Sequence, residues 1–271
     1  MSYQDLAAQW PVPHVAVAVI SPAGVLGSLG DQSMVFPLAS VTKTLAAYAV
    51  LIAVEEGGVS LDDQAGPQGS TVRHLLAHAA GYEFDRRETR GEPGVRRMYS
   101  NAGFEVLAEF VAQQTGIDFN DYAHEAVFEP LGMASTTLGT SPAAGGLSSV
   151  SDLSRFAQEL LAPTLIDSST WADATSVQFP GIDGLLPGYG RQKPNDWGLG
   201  FEIRDSKSPH WTAPSASPRT FGHFGQSGTF LWVDPDARLA CVALTDRAFG
   251  DWAIEVWPPF SQAVLDEFRQ G

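Results

Sequence analysis

Ser40 and Lys43 stand three residues apart at the head of the apolar run PLASVTKTLAAYAVLIAVEEGG (residues 37–58), and Lys43 is the only charged side chain from Val41 to Val54. The run reads as one helix that starts at Val41 and stops at Gly57-Gly58. Residues three apart on a helix share a face, so the serine hydroxyl and the lysine amine come within hydrogen-bonding reach. A cation is poorly placed there. The helix N-terminus carries a positive partial charge, and apolar surroundings disfavour the protonated amine. Both effects lower the lysine's pKa, as a general base beside a nucleophilic hydroxyl requires. The same N-terminus favours negative charge developing near the serine. The plainer alternative makes Ser40 an N-cap and lets Lys43 reach out to solvent.

Tyr99 and Asn101, in RRMYSNAGF, are two apart. In an extended segment both would face one way, toward a cleft; otherwise Asn101 caps the following helix AGFEVLAEFV with Tyr99 packed beneath it. His223, in FGHFGQSGTFLWV, taken alone reads as an ordinary strand residue. His74 and His78 in HLLAH are four apart, but the glutamate that a zinc-protease helix carries after its first histidine is missing. Helix packing and capping are expected of them, and no metal site. GQSGT and GSLG do not have the spacing of a nucleophile elbow, and no glycine-rich phosphate motif occurs, so no nucleotide or other cofactor is expected. Asp62-Asp63 reads as a solvated turn rather than a carboxylate pair.

The elements that must hold these residues follow from the hydrophobic pattern. A short helix over residues 2–10 ends at Pro11 and Pro13, and HVAVAVI-SPAG-VLGSLG is strand, turn, strand. Four segments between residues 70 and 162 carry apolar residues at three- and four-residue spacing and read as helices. Residues 163–194, rich in Gly, Pro, Ser and Thr, read mostly as loop. WGLGFEI, GTFLWV and LACVALTD are strands, and a final helix contains Pro258-Pro259, where a bend is expected. The fold class is therefore α/β (α+β): an antiparallel sheet of N- and C-terminal strands flanked by helices, with an inserted all-helical subdomain. The sheet domain takes residues 1–68 and 195–271, the insertion residues 69–194, and the active-site cleft lies between them.

Composition narrows the partners. The 271 residues are 44 % hydrophobic and 17 % charged, ordinary for a globular chain. Sixteen basic against 31 acidic residues give a formal net charge of −15, which repels phosphate backbones and anionic lipid, so neither nucleic acid nor membrane is an expected partner. The single cysteine, Cys241, excludes an intrachain disulfide and any multi-cysteine metal site, and its apolar surroundings make it a buried strand residue. The N-terminus lacks a secretory pattern and no long apolar span occurs, so the expectation is a soluble, cytoplasmic protein. Oligomeric state is left open.

In its motifs and their order, the chain resembles the serine β-lactamase and penicillin-binding-protein superfamily, closest to the branch of class C β-lactamases, DD-peptidases and related esterases. Ser40-Val41-Thr42-Lys43 is similar to the S-x-x-K motif, Tyr99-Ser100-Asn101 to Y-x-N, and His223-Phe224-Gly225 to K-T-G. VPHVAVAVI, EEGGVSLDD, VRHLLAHAAGY, FEPLGMASTTL and WGLGF are similar to that branch's background segments, so the resemblance covers nearly the whole chain. It implies an acyl-enzyme on Ser40 with Lys43 and Tyr99 as the base system, the Tyr99 phenol being lowered in pKa by Lys43. Asn101 would bind a substrate amide or orient the lysine. Gly225 would let substrate approach the strand, and the backbone N–H of Gln226, with that of Ser40, would form the oxyanion hole. Histidine in place of the motif lysine is familiar among esterase- and peptidase-like members. Phe224, where the motif has a hydroxyl, departs from a β-lactam carboxylate site and puts an apolar side chain at the rim. The expected substrate is a small-molecule ester or amide. Carboxylesterase ranks first, then amidase or D-amino-acid peptidase, then β-lactamase. Acyl transfer is equally compatible, and a catalytically silent ligand-binding homologue is the rival.

Overall fold

The computed structural model describes residues 1–269. Helix α1 (Tyr3–Ala7), capped by the Ser2 hydroxyl, leads into the hairpin β1 (Val15–Ser21) and β2 (Gly24–Leu29). Strand β3 (Val35–Pro37) and a 3-10 turn at Ala39–Val41 precede α2 (Thr42–Glu55). Next come α3 (Val72–Leu76), α4 (Asn101–Thr115), α5 (Phe119–Ala123), β4 (Leu147–Ser149), α6 (Val150–Leu161) and α7 (Ser168–Ala174). The hairpin β5 (Gly184–Leu186) and β6 (Gly190–Gln192) follows. The chain then runs through β7 (Glu202–Ile203), β8 (Phe221–Gly225), β9 (Thr229–Asp234), β10 (Leu239–Thr245) and α8 (Asp251–Phe268).

Six strands form one antiparallel sheet in the order β2-β1-β10-β9-β8-β7. The N- and C-terminal strands meet inside it, where Ala18 of β1 pairs with Val242 of β10. Both faces of β1, β9 and β10 are covered, which is why these strands are apolar without alternation. Ala16, Ala18 and Ile20 join the core on the α2 and α6 side, while Val17 and Val19 join the core under α1 and α8. Twelve of the fourteen residues of α2 are buried, so this helix is apolar all round rather than amphipathic.

The sheet-plus-helices class expected from the sequence is present. The stretch expected to be an all-helical insertion is not all-helical. It contributes β4, which pairs with β3, and the β5–β6 hairpin, and its helix α6 lies directly on β1 and β10. The segment 163–194 likewise holds α7 and that hairpin. Its glycines and prolines punctuate short elements instead of replacing them. Helix α8 continues through Pro258 and Pro259. No helix among the described residues is long and apolar enough to cross a membrane.

Candidate active site

Ser40 sits in the 3-10 turn, half-buried, immediately after Ala39, whose φ of 46° is left-handed for a residue with a Cβ. Strain of this kind persists only where surrounding contacts over-determine it. Here they do: the Leu38 N–H donates to Gly146 O (2.8 Å), Thr229 Oγ1 to Leu38 O (2.9 Å) and Thr42 Oγ1 to Ala39 O (2.6 Å). The first residues of α2 receive no side-chain cap, so the Ser40 hydroxyl is not spent as an N-cap.

Lys43, one turn on, is fully buried and does not reach solvent. Its Nζ donates to Asn101 Oδ1 (2.6 Å) and Ala143 O (2.8 Å) and lies 4.7 Å from the centre of the Tyr99 ring. Desolvation outweighs the opposing charges of Glu105 and Asp85 and pulls its pKa down to about 7. Asn101 is held at both ends of its amide, since its Nδ2 donates to Asp85 Oδ1 (2.8 Å). Ser100 takes the N-cap of α4, its hydroxyl accepting from the Gly103 N–H, which leaves Asn101 free to orient the lysine.

Tyr99 reaches the site as expected, with one correction. Its phenol is pushed up, not down: burial dominates, Ser40 is close enough to favour the phenolate, and Asp85 opposes it. The lysine cation sits over the ring face rather than beside the oxygen, so it does not counter the burial. The resting tyrosine is therefore a neutral hydroxyl. That hydroxyl is buried and, despite Ser40's proximity, lacks hydrogen-bond geometry to any described partner.

On β8, strand alternation separates the two residues of the third motif. His223 faces Tyr99, with ring centres 5.6 Å apart. Phe224 borders the cavity, and its ring also packs among Phe249 (4.8 Å), Trp211 (5.7 Å) and Trp257 (5.9 Å) of the α8-side core. Phe84, Leu186, Pro187 and Trp197 line the same cavity and extend its apolar wall. Gly225 admits the nucleophile turn itself. A Cβ there would stand 2.2 Å from Leu38 O and 2.6 Å from Thr229 Oγ1. Gly225→Ala must displace the strained backbone before Ser40, and is expected to cost about 1–3 kcal/mol of stability by thermal melting. Its kcat should fall more than its substrate binding weakens. Gln226 follows in a turn closed by Gly228 N–H to Gly225 O (3.0 Å), and its own N–H enters no hydrogen bond among the described residues.

These residues border a cavity of about 120 Å³ lined by Ser40, Tyr99, His223, Phe224 and Gln226 together with Phe84, Leu186, Pro187, Trp197 and Glu202. Phe84, Tyr99 and Pro187 are shared with an outer chamber of about 380 Å³, whose walls include Arg96, Met98 and Leu185. Sequence reasoning missed the walls. Trp197 stood in plain view in WGLGF, but nothing in that segment tells a site residue from a core one. The Ala143 carbonyl has no sequence signal at all. His74 and His78 do separate jobs. His74 accepts from the Thr71 N–H (3.3 Å), whereas His78 Nδ1 accepts from the Ser100 N–H (3.2 Å) and its ring packs on Tyr99 (4.4 Å).

Comparison with known proteins agrees with this architecture. The chain is 58 % identical to a β-lactamase from Mycobacterium bovis, and the two superpose with a TM-score of 0.98 over 99 % of this chain and 100 % of that one. EstCE1, a hydrolase with promiscuous acyltransferase activity, shares the fold at 17 % identity, with a TM-score of 0.79 over 97 % of each chain. A penicillin-binding protein of Bacillus subtilis is 27 % identical over 134 residues, 37 % of this chain and 30 % of that protein, so the chain spans under half of this curated relative's length. The model of the Beta-lactamase family matches residues 4–259, and the protein belongs to that family.

Proposed function

We propose that the protein is a serine hydrolase that cleaves a small ester or amide through an acyl-enzyme on Ser40, carboxylic esters first. The observation that carries this reading is the buried Lys43, one helical turn from Ser40 and clamped between Asn101 and Ala143, with a pKa near neutrality. In its neutral form Lys43 serves as the base. The Ser40 Oγ–acyl bond forms, the acyl–alkoxy bond breaks, and the serine proton passes by way of Lys43 and the Tyr99 hydroxyl to the departing alcohol. Water then repeats the sequence in reverse, releasing the acid and returning a proton to Ser40. Backbone N–H groups of Ser40 and Gln226 are the proposed oxyanion donors, each worth about 10²–10³ in rate. The motif lysine's replacement by a neutral His223 removes a cation that would hold a β-lactam carboxylate, which favours esters over β-lactams.

The test is intact-protein mass spectrometry of wild type and Ser40→Ala, each incubated with a fluorophosphonate, a short-chain p-nitrophenyl ester and a penicillin. One adduct on wild type and none on Ser40→Ala is the expected result, with the ester turned over and the penicillin inert. Equal labelling of both proteins would remove Ser40 as the nucleophile. A folded wild type that takes no reagent would favour the binding-only homologue.

A further inference from the structure

A neutral lysine amine has two N–H bonds and one lone pair, and a base must keep the lone pair for the proton it takes. Lys43 Nζ donates to Asn101 Oδ1 (2.6 Å) and Ala143 O (2.8 Å), which engages both N–H bonds of the neutral form and leaves the lone pair free. Were the Asn101 amide turned over, its Nδ2 would donate to that lone pair and spend it. Each of the two acceptors is braced from behind by a carboxylate. Asn101 Nδ2 donates to Asp85 Oδ1 (2.8 Å). A carboxylate only accepts and an ammonium only donates, so these neighbours admit one amide orientation, oxygen toward the lysine. Asp85 is exposed, but its segment is tied to the start of α4. The N–H groups of Asn101 and Ala102 donate to Phe84 O (2.7 and 3.1 Å), and the Ser100 hydroxyl donates to Glu83 O (2.5 Å). On the other side, Glu105 lies one turn along α4 from Asn101 and accepts from the Ser141 hydroxyl. The Ser141 oxygen accepts in turn from the N–H groups of Ala143 and Ala144 (3.2 Å each), fixing the turn that presents the Ala143 carbonyl. Among the described residues, the other titratable groups around the amine are uncharged near neutrality. Burial raises the Tyr99 phenol and lowers the His78 and His223 imidazoles. Glu105 and Asp85 are the charges that oppose the desolvation of Lys43.

We infer that Asp85 and Glu105 are positioning residues for Lys43, each holding in place one of the two oxygens that take its N–H bonds. This rests on the hydrolase reading above. Neither acid touches the reacting atoms. Their negative charges also favour the ammonium, so removing either lets Lys43 give up its proton at lower pH. Removing the acceptor as well releases the Asn101 amide or the Ser141 turn, and the amine is no longer held.

The test is the rate at which a fluorophosphonate labels Ser40, followed by intact-protein mass spectrometry over about two pH units either side of the Lys43 pKa of about 7. Wild type should show an acid limb near that value and a plateau above it. Asp85→Asn and Glu105→Gln remove a charge and keep an acceptor, and each should move the limb down by about half a pH unit. Below the limb they are then labelled faster than wild type as a fraction of their own plateau, which a damaged fold does not produce. Asp85→Ala and Glu105→Ala should shift the limb equally and also lower the plateau by about tenfold or more. Asp85 is exposed, so its variants test the limb even where a Glu105 variant fails to fold. An acid whose variants leave the limb at its wild-type pH is removed from the proposal whatever happens to the plateau. Equal plateaus in the amide and alanine forms would leave a charge effect alone and overturn the positioning. Wild-type labelling without an acid limb would overturn it too, leaving Ser40 as the nucleophile. Absence of the label would remove the hydrolase reading as well.

Discussion

Lys43→Met is expected to lower kcat/KM toward esters by about 10²–10⁴-fold, the range for loss of a positioned general base, while the protein stays folded. Lys43 is fully buried, and the wild type carries an ammonium there only at the expense of desolvation. A pKa of about 7 against 10.5 in the unfolded chain corresponds to about 5 kcal/mol of penalty at low pH. Methionine removes that penalty but strands Asn101 Oδ1 and Ala143 O, at about 1–3 kcal/mol each. The terms are of similar size, so the melting temperatures of wild type and variant should lie within a few degrees near neutrality. Their pH dependence differs. Between about 7 and 10.5 the unfolded wild type holds a proton that the folded form lacks, so wild-type stability rises with pH across that window and falls as pH drops toward 7. The variant has no such slope. Activity should follow the same group: wild-type kcat/KM climbs through an acid limb near pH 7 as Lys43 loses its proton. A limb near pH 3 instead would assign the titration to His223.

What the sequence disclosed was whatever depends on local order. Period and punctuation located α2 and the strand pairs at either end, and the three-residue spacing of Ser40 and Lys43 needed only a helix to be meaningful. Electrostatics predicted the direction of the lysine shift because its first cause, apolar surroundings, is written in the neighbouring residues. The Tyr99 shift went the other way because burial of the phenol dominates it, and how deeply a side chain is buried is a tertiary fact. The aromatic cluster behind Phe224 was hidden for a related reason: aligning a motif assigns positions, whereas tertiary packing decides which rings meet. The oppositely protonated faces of His78 and His223 follow from single backbone contacts, the Ser100 N–H and the Phe224 carbonyl, that no pattern in the sequence encodes.

The largest effect on stability is expected where the sequence showed least. Glu202 of β7 is buried at the cavity wall and accepts from Lys207 Nζ, His210 Nε2 (2.9 Å) and Trp211 Nε1 (2.9 Å). Lys207 is equally buried and also donates to Asp196 O (2.7 Å) and Ile203 O (2.6 Å). Burial raises the Glu202 pKa, but His210 and Lys207 outweigh it and hold the carboxyl well below its usual range. Removing one partner of such a pair leaves a charge in the interior, so Lys207→Met is expected to destabilise the protein by about 3–5 kcal/mol in urea melts. Adding Glu202→Gln should recover about half of that loss, because the stranded carboxylate is gone even though two carbonyls stay unpaired. The sign with pH follows from the depressed carboxyl. Its contribution is complete above the unfolded value near 4.5 and is lost as pH falls below it. The gap between wild type and Lys207→Met should therefore narrow in acid. Since β7 pairs with β8 at Glu202 and Gly222, next to His223, the single variant should also lose ester turnover beyond its loss of folded protein, and the double variant should regain it. A Lys207→Met protein as stable as wild type, with unchanged turnover, would show that this ion network neither braces the sheet edge nor shapes the cavity.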